Sequence, residues 1–426
     1  MVGRSLRVGV LGVVLACSAC TGTWVQLGYS PGRAGSNPVE SQVGVSNVAG
    51  LRSRWSTSIG TFAADPVVLN GAVFVPTWNG TANVVAALDA GTGASRWSVA
   101  LPRLPQQVSE FTPVDLAVTD RAVYASHDAS VAFPPATGTF PAGEVIGLDP
   151  SNGSTVFRPG RYVGFATAVA LGNQLYYGGS DARFVQGRLT YTGALFGQDP
   201  STGQISVLSQ PAPSGLIDSV VAVDQGFGFV VGTANFSGPG LTLNAVPLGS
   251  GSGWSSTTSG LAANVHPVAA GGTVFAADTT GDVFAFAASG CGTTTCAPRW
   301  EAVTGAAPKN TATLAVGDGM LFVALDTGAL YAFSASGCGA STCSPIWHGT
   351  IAAGTPRLGE ANGVLYAISE GGGHLVAFNA AGCRTSTCSP LLDTPTGGTG
   401  LGGGPTIANG MVYVGTGDGK VIAFGL

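Results

Sequence analysis

The fold of this chain is decided by a unit whose first complete copy reads AVFV at residues 72–75, ALDAGTG at residues 87–93 and SRWS at residues 95–98. Short runs of β-branched and aromatic residues that are bounded by Gly, Asp and Thr predict strands joined by tight turns. The three pieces therefore predict consecutive strands of a small antiparallel sheet, with one tryptophan on the last strand.

The same unit recurs along the chain. Its first strand returns eight times, and the centre of that strand falls at residues 74, 124, 176, 230, 275, 322, 366 and 413. A repeat of this length cannot bury both faces of its own sheet, so neighbouring copies must pack against each other. Four-stranded units of this size close into a ring without long exposed edges, whereas an open solenoid, the alternative, has shorter repeats. We therefore expect an all-β fold, an eight-bladed β-propeller of four-stranded antiparallel blades.

The last repeat lacks its outermost strand, and the missing piece lies at the other end of the chain. Residues 421–424 are followed only by Gly425 and Leu426, whereas residues 51–56, LRSRWS, match SRWS in the first complete unit. We expect this N-terminal strand to complete the eighth blade and close the ring. Residues 51–426 are then a single propeller, and residues 21–50 are an N-terminal tether and lead-in segment.

A bulky aromatic residue closes most of the units. An aromatic ring at a fixed repeat position indicates a wedge between adjacent sheets, where it buries about 150–250 Å². The predicted wedge residues are Trp55, Trp97, Trp254, Trp300 and Trp347.

The turn before the closing strand has two kinds of sequence. Asp89, Asp149 and Asp199 begin this turn in the first three units, and we expect them to fold the turn rather than to bind calcium. Units five to seven instead carry a C-x₄-C loop, for which we expect local disulfides. Zinc is the alternative, but each pair supplies two of the four ligands that a structural zinc site needs. The predicted pairs are Cys291 with Cys296, Cys338 with Cys343, and Cys383 with Cys388.

The N-terminus has the pattern of a bacterial lipoprotein signal. Arg4 and Arg7 precede the apolar residues 8–16, after which small residues and cysteine follow. We interpret residues 1–20 as the signal and Cys17 as the lipid-modified residue, with Cys20 as the alternative. An ordinary cleaved signal that leaves both thiols unmodified also fits. The protein is then extracytoplasmic, and either lipid-anchored to the outer face of the cytoplasmic membrane or secreted.

Composition excludes some functions and leaves few residues for chemistry. The formal net charge is -5 and only 9% of the residues are charged, so no basic face is available for nucleic acid. The four histidines lie in separate units without a metal-binding motif. We therefore predict no catalytic, cofactor-binding or metal-binding residue from the sequence.

The repeat resembles the pyrroloquinoline-quinone (PQQ) type of β-propeller repeat. The resemblance rests on residues 73–75, the ALDAGTG turn at residues 87–93 and Trp97, and it covers about residues 24–426. Dehydrogenases of this family hold the quinone and a calcium ion in the central funnel, and they often carry a disulfide between adjacent cysteines. No two cysteines are adjacent in this chain. Other members, including the outer-membrane barrel-assembly lipoprotein, are non-catalytic scaffolds.

The resemblance therefore implies a non-catalytic binding or scaffold module for a protein or another component of the cell envelope. From the closed ring we expect a monomer, and from the N-terminal signal we expect contact with the membrane through a lipid anchor. We predict no cofactor, since no site residue supports PQQ or calcium. The alternative that the resemblance implies is a PQQ-dependent alcohol or sugar dehydrogenase with a calcium–quinone site in the central funnel.

Overall fold

The computed structural model describes residues 23–103, 114–127, 142–158, 161–163, 168–185, 188–209, 221–232, 241–262, 265–306, 312–371, 373–400 and 402–426. Within these ranges, the only helix is the 3-10 turn Val48–Gly50, and no helix is long and apolar enough to cross a membrane. The predicted signal, with Cys17 and Cys20, lies outside the described residues.

The described residues form eight sheets, which we call blades 1 to 8. Within each blade, antiparallel strands A to D follow one another in the chain. Blade 1 comprises Phe62–Ala63, Val67–Leu69, Ala72–Trp78, Asn83–Asp89 and Ser95–Ala100, and blade 2 comprises Val114–Val118, Val123–His127, Ala142–Leu148, Thr155–Phe157 and Arg161–Val163. Blade 3 comprises Val169–Leu171, Gln174–Val185, Arg188–Gln198 and Ile205–Ser209, and blade 4 comprises Ala222–Asp224, Phe227–Gly232, Thr242–Pro247 and Trp254–Ser256. Blade 5 comprises Val268–Ala270, Thr273–Ala277, Val283–Ala287 and Trp300–Ala302, and blade 6 comprises Ala312–Gly317, Met320–Leu325, Ala329–Ser334 and Trp347–Thr350. Blade 7 comprises Pro356–Ala361, Val364–Ser369, His374–Asn379 and Leu392–Pro395, and blade 8 comprises Thr406–Ala408, Met411–Gly415, Lys420–Gly425 and Arg52–Ser58.

The blades are arranged as a closed ring with the A strands innermost. The A strands of neighbouring blades touch each other, including those of blades 8 and 1, and blades 3 and 4 meet through Ile205–Ser209 and Thr242–Pro247. Buried valine, leucine, phenylalanine and tyrosine side chains fill the spaces between successive blades. The predicted all-β, eight-bladed propeller of mainly four-stranded blades is therefore confirmed.

Tight turns between strands A and B define one face of the ring. In six blades both central residues of this turn have positive φ, which is the type I′ geometry that matches the twist of the flanking strands. These pairs are Asn70 and Gly71, Gln225 and Gly226, Gly271 and Gly272, Asp318 and Gly319, Asn362 and Gly363, and Asn409 and Gly410. We call the face that carries the A–B and C–D turns the hairpin face. The opposite face, where each D strand leads to the next A strand, is the funnel face.

An N-terminal strand closes the ring, as predicted. Arg52–Ser58 pairs antiparallel with Lys420–Gly425 and becomes strand D of blade 8. Trp55 lies opposite Ala423 in this pairing. The two ends of the propeller are thus joined by a backbone ladder, and unzipping this ladder would open the ring.

The lead-in segment before this strand runs around the inside of the ring. It visits the eight A strands in ring order and accepts or donates one or more hydrogen bonds at each, with lengths of 2.6–3.0 Å. Six backbone carbonyls of the lead-in each accept a hydrogen bond from an A-strand amide: Trp24 from Val68, Val25 from Val118, Pro31 from Val223, Gly32 from Ala269, Ala34 from Val316 and Gly35 from Glu360. The side chain of Gln26 accepts from the amide of Ala170, and the side chain of Asn37 donates to the carbonyl of Ile407. Because these partners lie near the A–B turns, the segment fills the channel at the hairpin face.

The lead-in thus forms a seal across the channel, and at Gly32 this seal packs closely against the backbone of blade 5. It lacks a side chain because a methyl group there would collide with the carbonyl oxygen of Ala269 in blade 5. We expect Gly32→Ala to lower the free energy of unfolding by about 1–3 kcal/mol, since the clash falls on backbone that cannot rotate away. Urea unfolding measures the change.

The matched control is Gly249→Ala in an exposed turn, where a methyl group meets no atom within 4 Å. We expect this control to stay within about 0.5 kcal/mol of the parent protein. Equal stability of the two variants would show that the lead-in does not pack against blade 5 as described.

Candidate functional site in the central channel

The five predicted wedge tryptophans lie on D strands and contact the next blade. Each ring packs on a glycine with positive φ in the C–D turn of the following blade, where a methyl group would strike the indole. The contacts are Trp55 with Gly93, Trp97 with Gly153, Trp254 with Gly290, Trp300 with Gly337, and Trp347 with Gly382. Four indoles also donate to a carbonyl of that turn, for example Trp97 Nε1 to Pro150 O at 2.9 Å. These tryptophans therefore hold blades together rather than face a ligand.

The three predicted disulfides are confirmed, and they too act between blades. Cys291–Cys296, Cys338–Cys343 and Cys383–Cys388 each close a C–D loop with a Cα–Cα distance of 5.6–5.7 Å. Each loop pairs in parallel with the D strand of the preceding blade; Thr295–Cys296, for example, extends the sheet of blade 4 beside Trp254–Ser256. The bridges thus brace the interfaces from blade 4 to blade 7.

The aspartates of the first three C–D turns fold those turns. Asp89 Oδ1 accepts hydrogen bonds from the amides of Gly91 and Thr92, and its Oδ2 contacts Arg96 at 2.8 Å. The hydrogen bond from Arg96 and those from Thr92 lower the pKa of Asp89 to about 2. Asp149 and Asp199 accept from the amide and hydroxyl of the serine two residues on. Their oxygens are thus used as the turn interpretation predicts.

The channel is closed at the hairpin face, and its funnel face carries a cavity of about 260 Å³. Asp65, Asp115 and Arg357 give the cavity its charges, and Thr77 and Asn83 add neutral polar groups. Asp65 precedes the A strand of blade 1 and accepts the amide of Gly404 at 2.6 Å. A side chain at position 404 would meet both Asp65 and the stem of Arg357, so glycine lets these two residues approach each other.

Arg33 extends from the lead-in toward blade 4. Its backbone has φ +56°, and its side chain is only 5% exposed. Arg33 Nε donates to the carbonyl of Val221 at 2.7 Å, at the funnel end of the A strand of blade 4. Burial lowers the pKa of Arg33 to about 10, although the charges of Asp115 and Asp65 act in the opposite direction. The guanidinium is therefore held at blade 4, within the range at which the charges of Asp115 and Asp65 act on it.

His266 belongs to the same charged group. It stands two residues before the A strand of blade 5, at the funnel end of that strand. Desolvation by the enclosing protein, together with the positive charges of Arg33 and Arg357, lowers the pKa of His266 to about 3. The ring is consequently neutral at pH 7. Two arginines and two aspartates from different parts of the chain then set the electrostatics of the funnel.

These residues do not fit the calcium–quinone centre of the dehydrogenase alternative. Calcium takes six to eight oxygen ligands in proteins. In the part of the chain that the structure describes, no three His, Cys, Asp or Glu side chains are grouped to hold a metal ion. The cavity is lined instead by two carboxylates, Asp65 and Asp115, and one guanidinium, Arg357.

The sequence did not single out the funnel residues, although it held a partial signal. Asp65 and His266 directly precede a proline that opens an A strand, in DPVV and HPVA. Aligning the repeats on this proline would have placed both side chains at the inner end of a blade. Arg33 gave no such signal, because the lead-in is not part of any repeat.

Comparison with known proteins agrees with this fold. A family model described as the outer membrane protein assembly factor BamB matches residues 45–158, which span the closing strand, blade 1 and most of blade 2. No curated protein shows a significant match to the sequence. The PQQ-like β-propeller predicted from the repeats is therefore supported by both the family model and the architecture.

Solved structures extend the likeness to nearly the whole chain. The quinohemoprotein alcohol dehydrogenase ADHIIG from Pseudomonas putida HK5 is 14% identical, with a TM-score of 0.67 over 95% of this chain and 80% of that chain. A europium-containing methanol dehydrogenase is 14% identical, with a TM-score of 0.66 over 95% and 98%. The computationally designed protein Ika8 is 13% identical, with a TM-score of 0.61 over 87% and 98%. At these identities the likeness shows the fold alone.

A buried acid fastens the lead-in to blade 7. The side chain of Glu360 is only 1% exposed, and it accepts the Ser36 hydroxyl at 2.5 Å and the amide of Gly363 at 3.2 Å. Burial, together with the nearby charge of Asp318, raises the pKa of Glu360 to about 7, although the hydrogen bonds from Ser36 and Gly363 act in the opposite direction. The folded protein therefore favours the neutral acid at this point of the seal.

This acid predicts a pH dependence of stability. Because the folded pKa lies above the ordinary value of 4.5, the contribution of Glu360 is fully present below about pH 4.5 and is lost as the pH rises through 7. We expect the parent protein to lose up to about 3 kcal/mol between pH 4.5 and 7 from this group. Glu360→Gln removes the titration and should flatten the profile, whereas exposed Glu370→Gln should not. A parallel slope in the parent and in Glu360→Gln would contradict this assignment.

Proposed function

We propose that this protein is an exported, lipid-anchored propeller that binds a partner of the cell envelope through its funnel face, without catalysis. The observation that carries the proposal is the convergence of Asp65, Asp115 and Arg357 on a cavity whose far end is closed by the lead-in. A channel closed at one end admits a bound group only from the other end.

Two further observations support a binding role in the envelope. Disulfides persist in oxidising compartments outside the cytoplasm, and three of them brace consecutive blades. The family model that matches residues 45–158 is described as an outer membrane assembly factor. A protein partner is therefore the first candidate for the funnel face, and a monomer suffices because the ring closes on itself.

The lipid anchor can be tested with a matched pair of cysteine variants. If Cys17 carries the lipid, Cys17→Ala should move the protein from the membrane fraction to the soluble extracytoplasmic fraction, whereas Cys20→Ala should leave it membrane-bound. The reverse result would identify Cys20 instead. If both single variants fractionate like the parent and intact mass shows no acyl chain, the protein is not lipid-anchored.

The funnel face can be tested by site-specific photocrosslinking in cells that express the full chain. A crosslinking residue at exposed Ala352, on the funnel face beside blade 7, should give one discrete protein adduct. The same residue at exposed Asn152, in a C–D turn of the hairpin face, should not. Adding Asp65→Asn, which removes a funnel charge, should weaken the Ala352 adduct. An adduct unaffected by Asp65→Asn, or no adduct at Ala352, would contradict the proposal.

The dehydrogenase alternative is decided on the same preparation. PQQ with calcium should give neither thermal stabilisation nor dye reduction in the presence of alcohols or sugars. Stabilisation accompanied by turnover would replace the binding role with catalysis.

A further inference from the structure

We infer that the junction of blades 5 and 6 on the hairpin face holds a further binding site, which takes a sugar acid and uses Arg299 and the indole N–H of Trp300 as donors. This site lies on the opposite face of the ring from the funnel, so it goes beyond the proposed function and does not depend on it. Its ligand is a monosaccharide that carries one carboxylate.

Trp300 departs from the pattern of the other four wedge tryptophans. Each of those donates its indole N–H to a carbonyl of the next C–D turn, whereas Nε1 of Trp300 has no hydrogen-bond partner among the described residues. Trp254 also packs on Phe286 of the next blade, with ring centroids 5.9 Å apart. In the described part of the chain, the only aromatic ring that contacts Trp300 is Phe275 of its own blade. Trp300 therefore wedges the blades without using its N–H.

The unused N–H opens into a cavity of about 540 Å³ between blades 5 and 6. Trp300 lines this cavity together with the C–D turn of blade 6, which contributes Ser336 and Ser341. Among the described residues, the buried side-chain polar atoms that lack a hydrogen-bond partner are Arg33 Nη1 and Tyr366 Oη, and Nε1 of Trp300 is not one of them. The indole nitrogen is therefore accessible, although the side chain as a whole is only 6% exposed. An acceptor on a ligand can reach it from the cavity.

Arg299 supplies the positive charge of this site. Its side chain is exposed and lines the same cavity, and its guanidinium makes no hydrogen bond or ion pair with a described residue. No acidic side chain is found among the described residues that line the cavity. A guanidinium whose N–H donors are unused matches the two oxygens of a carboxylate. The cavity therefore selects a ligand with a negative charge.

The rest of the lining suits a ligand that also carries hydroxyl groups. Thr273, Ser336 and Ser341 contribute hydroxyls, which both donate and accept hydrogen bonds. The volume lies within the range of about 300–1,000 Å³ that small-molecule sites occupy, and it exceeds what a bare carboxylate fills. The Cys338–Cys343 disulfide closes the turn that carries the two serines, and this turn pairs with strand D of blade 5, so the wall is preorganised. One carboxylate beside several hydroxyls is the composition of a sugar acid.

Calorimetric titration of the purified full-length protein with glucuronate, glucose and propionate tests the site. Glucuronate should bind saturably, and glucose and propionate should each bind at least about tenfold more weakly, because glucose lacks the carboxylate and propionate lacks the hydroxyls. Arg299→Gln should weaken the binding of glucuronate about tenfold, which is the loss expected for a hydrogen bond between charged groups. The matched control is Arg384→Gln, at an exposed arginine in the C-x₄-C loop of blade 7, which should bind glucuronate like the parent.

A pair of tryptophan variants separates binding from packing. Trp300→Phe removes the indole N–H without removing a hydrogen bond to a described residue, and it should weaken glucuronate binding about fivefold. Trp347→Phe removes the hydrogen bond to the carbonyl of Ala380, so it should lower the unfolding temperature and leave glucuronate binding unchanged. In the isotope-labelled parent protein, the Nε1–Hε1 resonance of Trp300 should move saturably with glucuronate, while that of Trp347 should stay fixed.

Equal affinity for glucose and glucuronate, or a Trp300 resonance that does not move, would overturn the inference. Propionate that bound as tightly as glucuronate would also overturn it, and would point instead to an acidic side chain of a bound protein. The funnel variant Asp65→Asn should bind glucuronate like the parent. Failure of this site would therefore leave the funnel-face proposal standing, and loss of the Ala352 crosslink would not affect this site.

Discussion

The structure depends on the hydrogen bonds between the lead-in and the inner edges of the eight blades. An A strand at the centre of a ring has a neighbour on one side only, so its other edge presents unpaired amide and carbonyl groups to the channel. Lead-in carbonyls, including those of Trp24, Gly32 and Gly35, satisfy one such amide in six of the blades. The side chains of Gln26 and Asn37 make the corresponding contact with blades 3 and 8. The same segment continues into Arg52–Ser58, so the chain first contacts the inner strands and then, further along, forms the strand that closes the ring.

Neighbouring blades pack through the C–D turn, and this turn is held in shape in two different ways. An indole on each of five D strands needs a flat, close surface on the next blade, and a C–D turn glycine such as Gly93 or Gly290 supplies it. Where the turn is an aspartate turn, hydrogen bonds from the turn amides to Asp89 or its equivalents hold it in shape. Where the turn is longer, a disulfide such as Cys291–Cys296 holds it and adds a parallel strand to the preceding sheet.

The sequence predicted the structural features that depend on side-chain patterns within short segments. The repeat centred on Phe74, the closing strand around Trp55 and the three cysteine pairs all follow from spacing within short segments. The course of the lead-in could not be predicted, because backbone groups make most of its contacts with the blades and any sequence presents those groups. The funnel was missed for a related reason: Asp65, Asp115 and Arg357 are far apart in the chain, and only the closed ring brings them to one cavity.

Arg33 connects the seal to the funnel. Its neighbours Gly32 and Ala34 hold blades 5 and 6 through backbone hydrogen bonds, while its side chain reaches the funnel end of blade 4. The lead-in thus fastens the inner strands by two kinds of contact, backbone carbonyls that any residue supplies and a buried guanidinium that depends on arginine at position 33. Replacing Arg33 would remove the donor to the carbonyl of Val221, while the backbone contacts of Gly32 and Ala34 with blades 5 and 6 would remain.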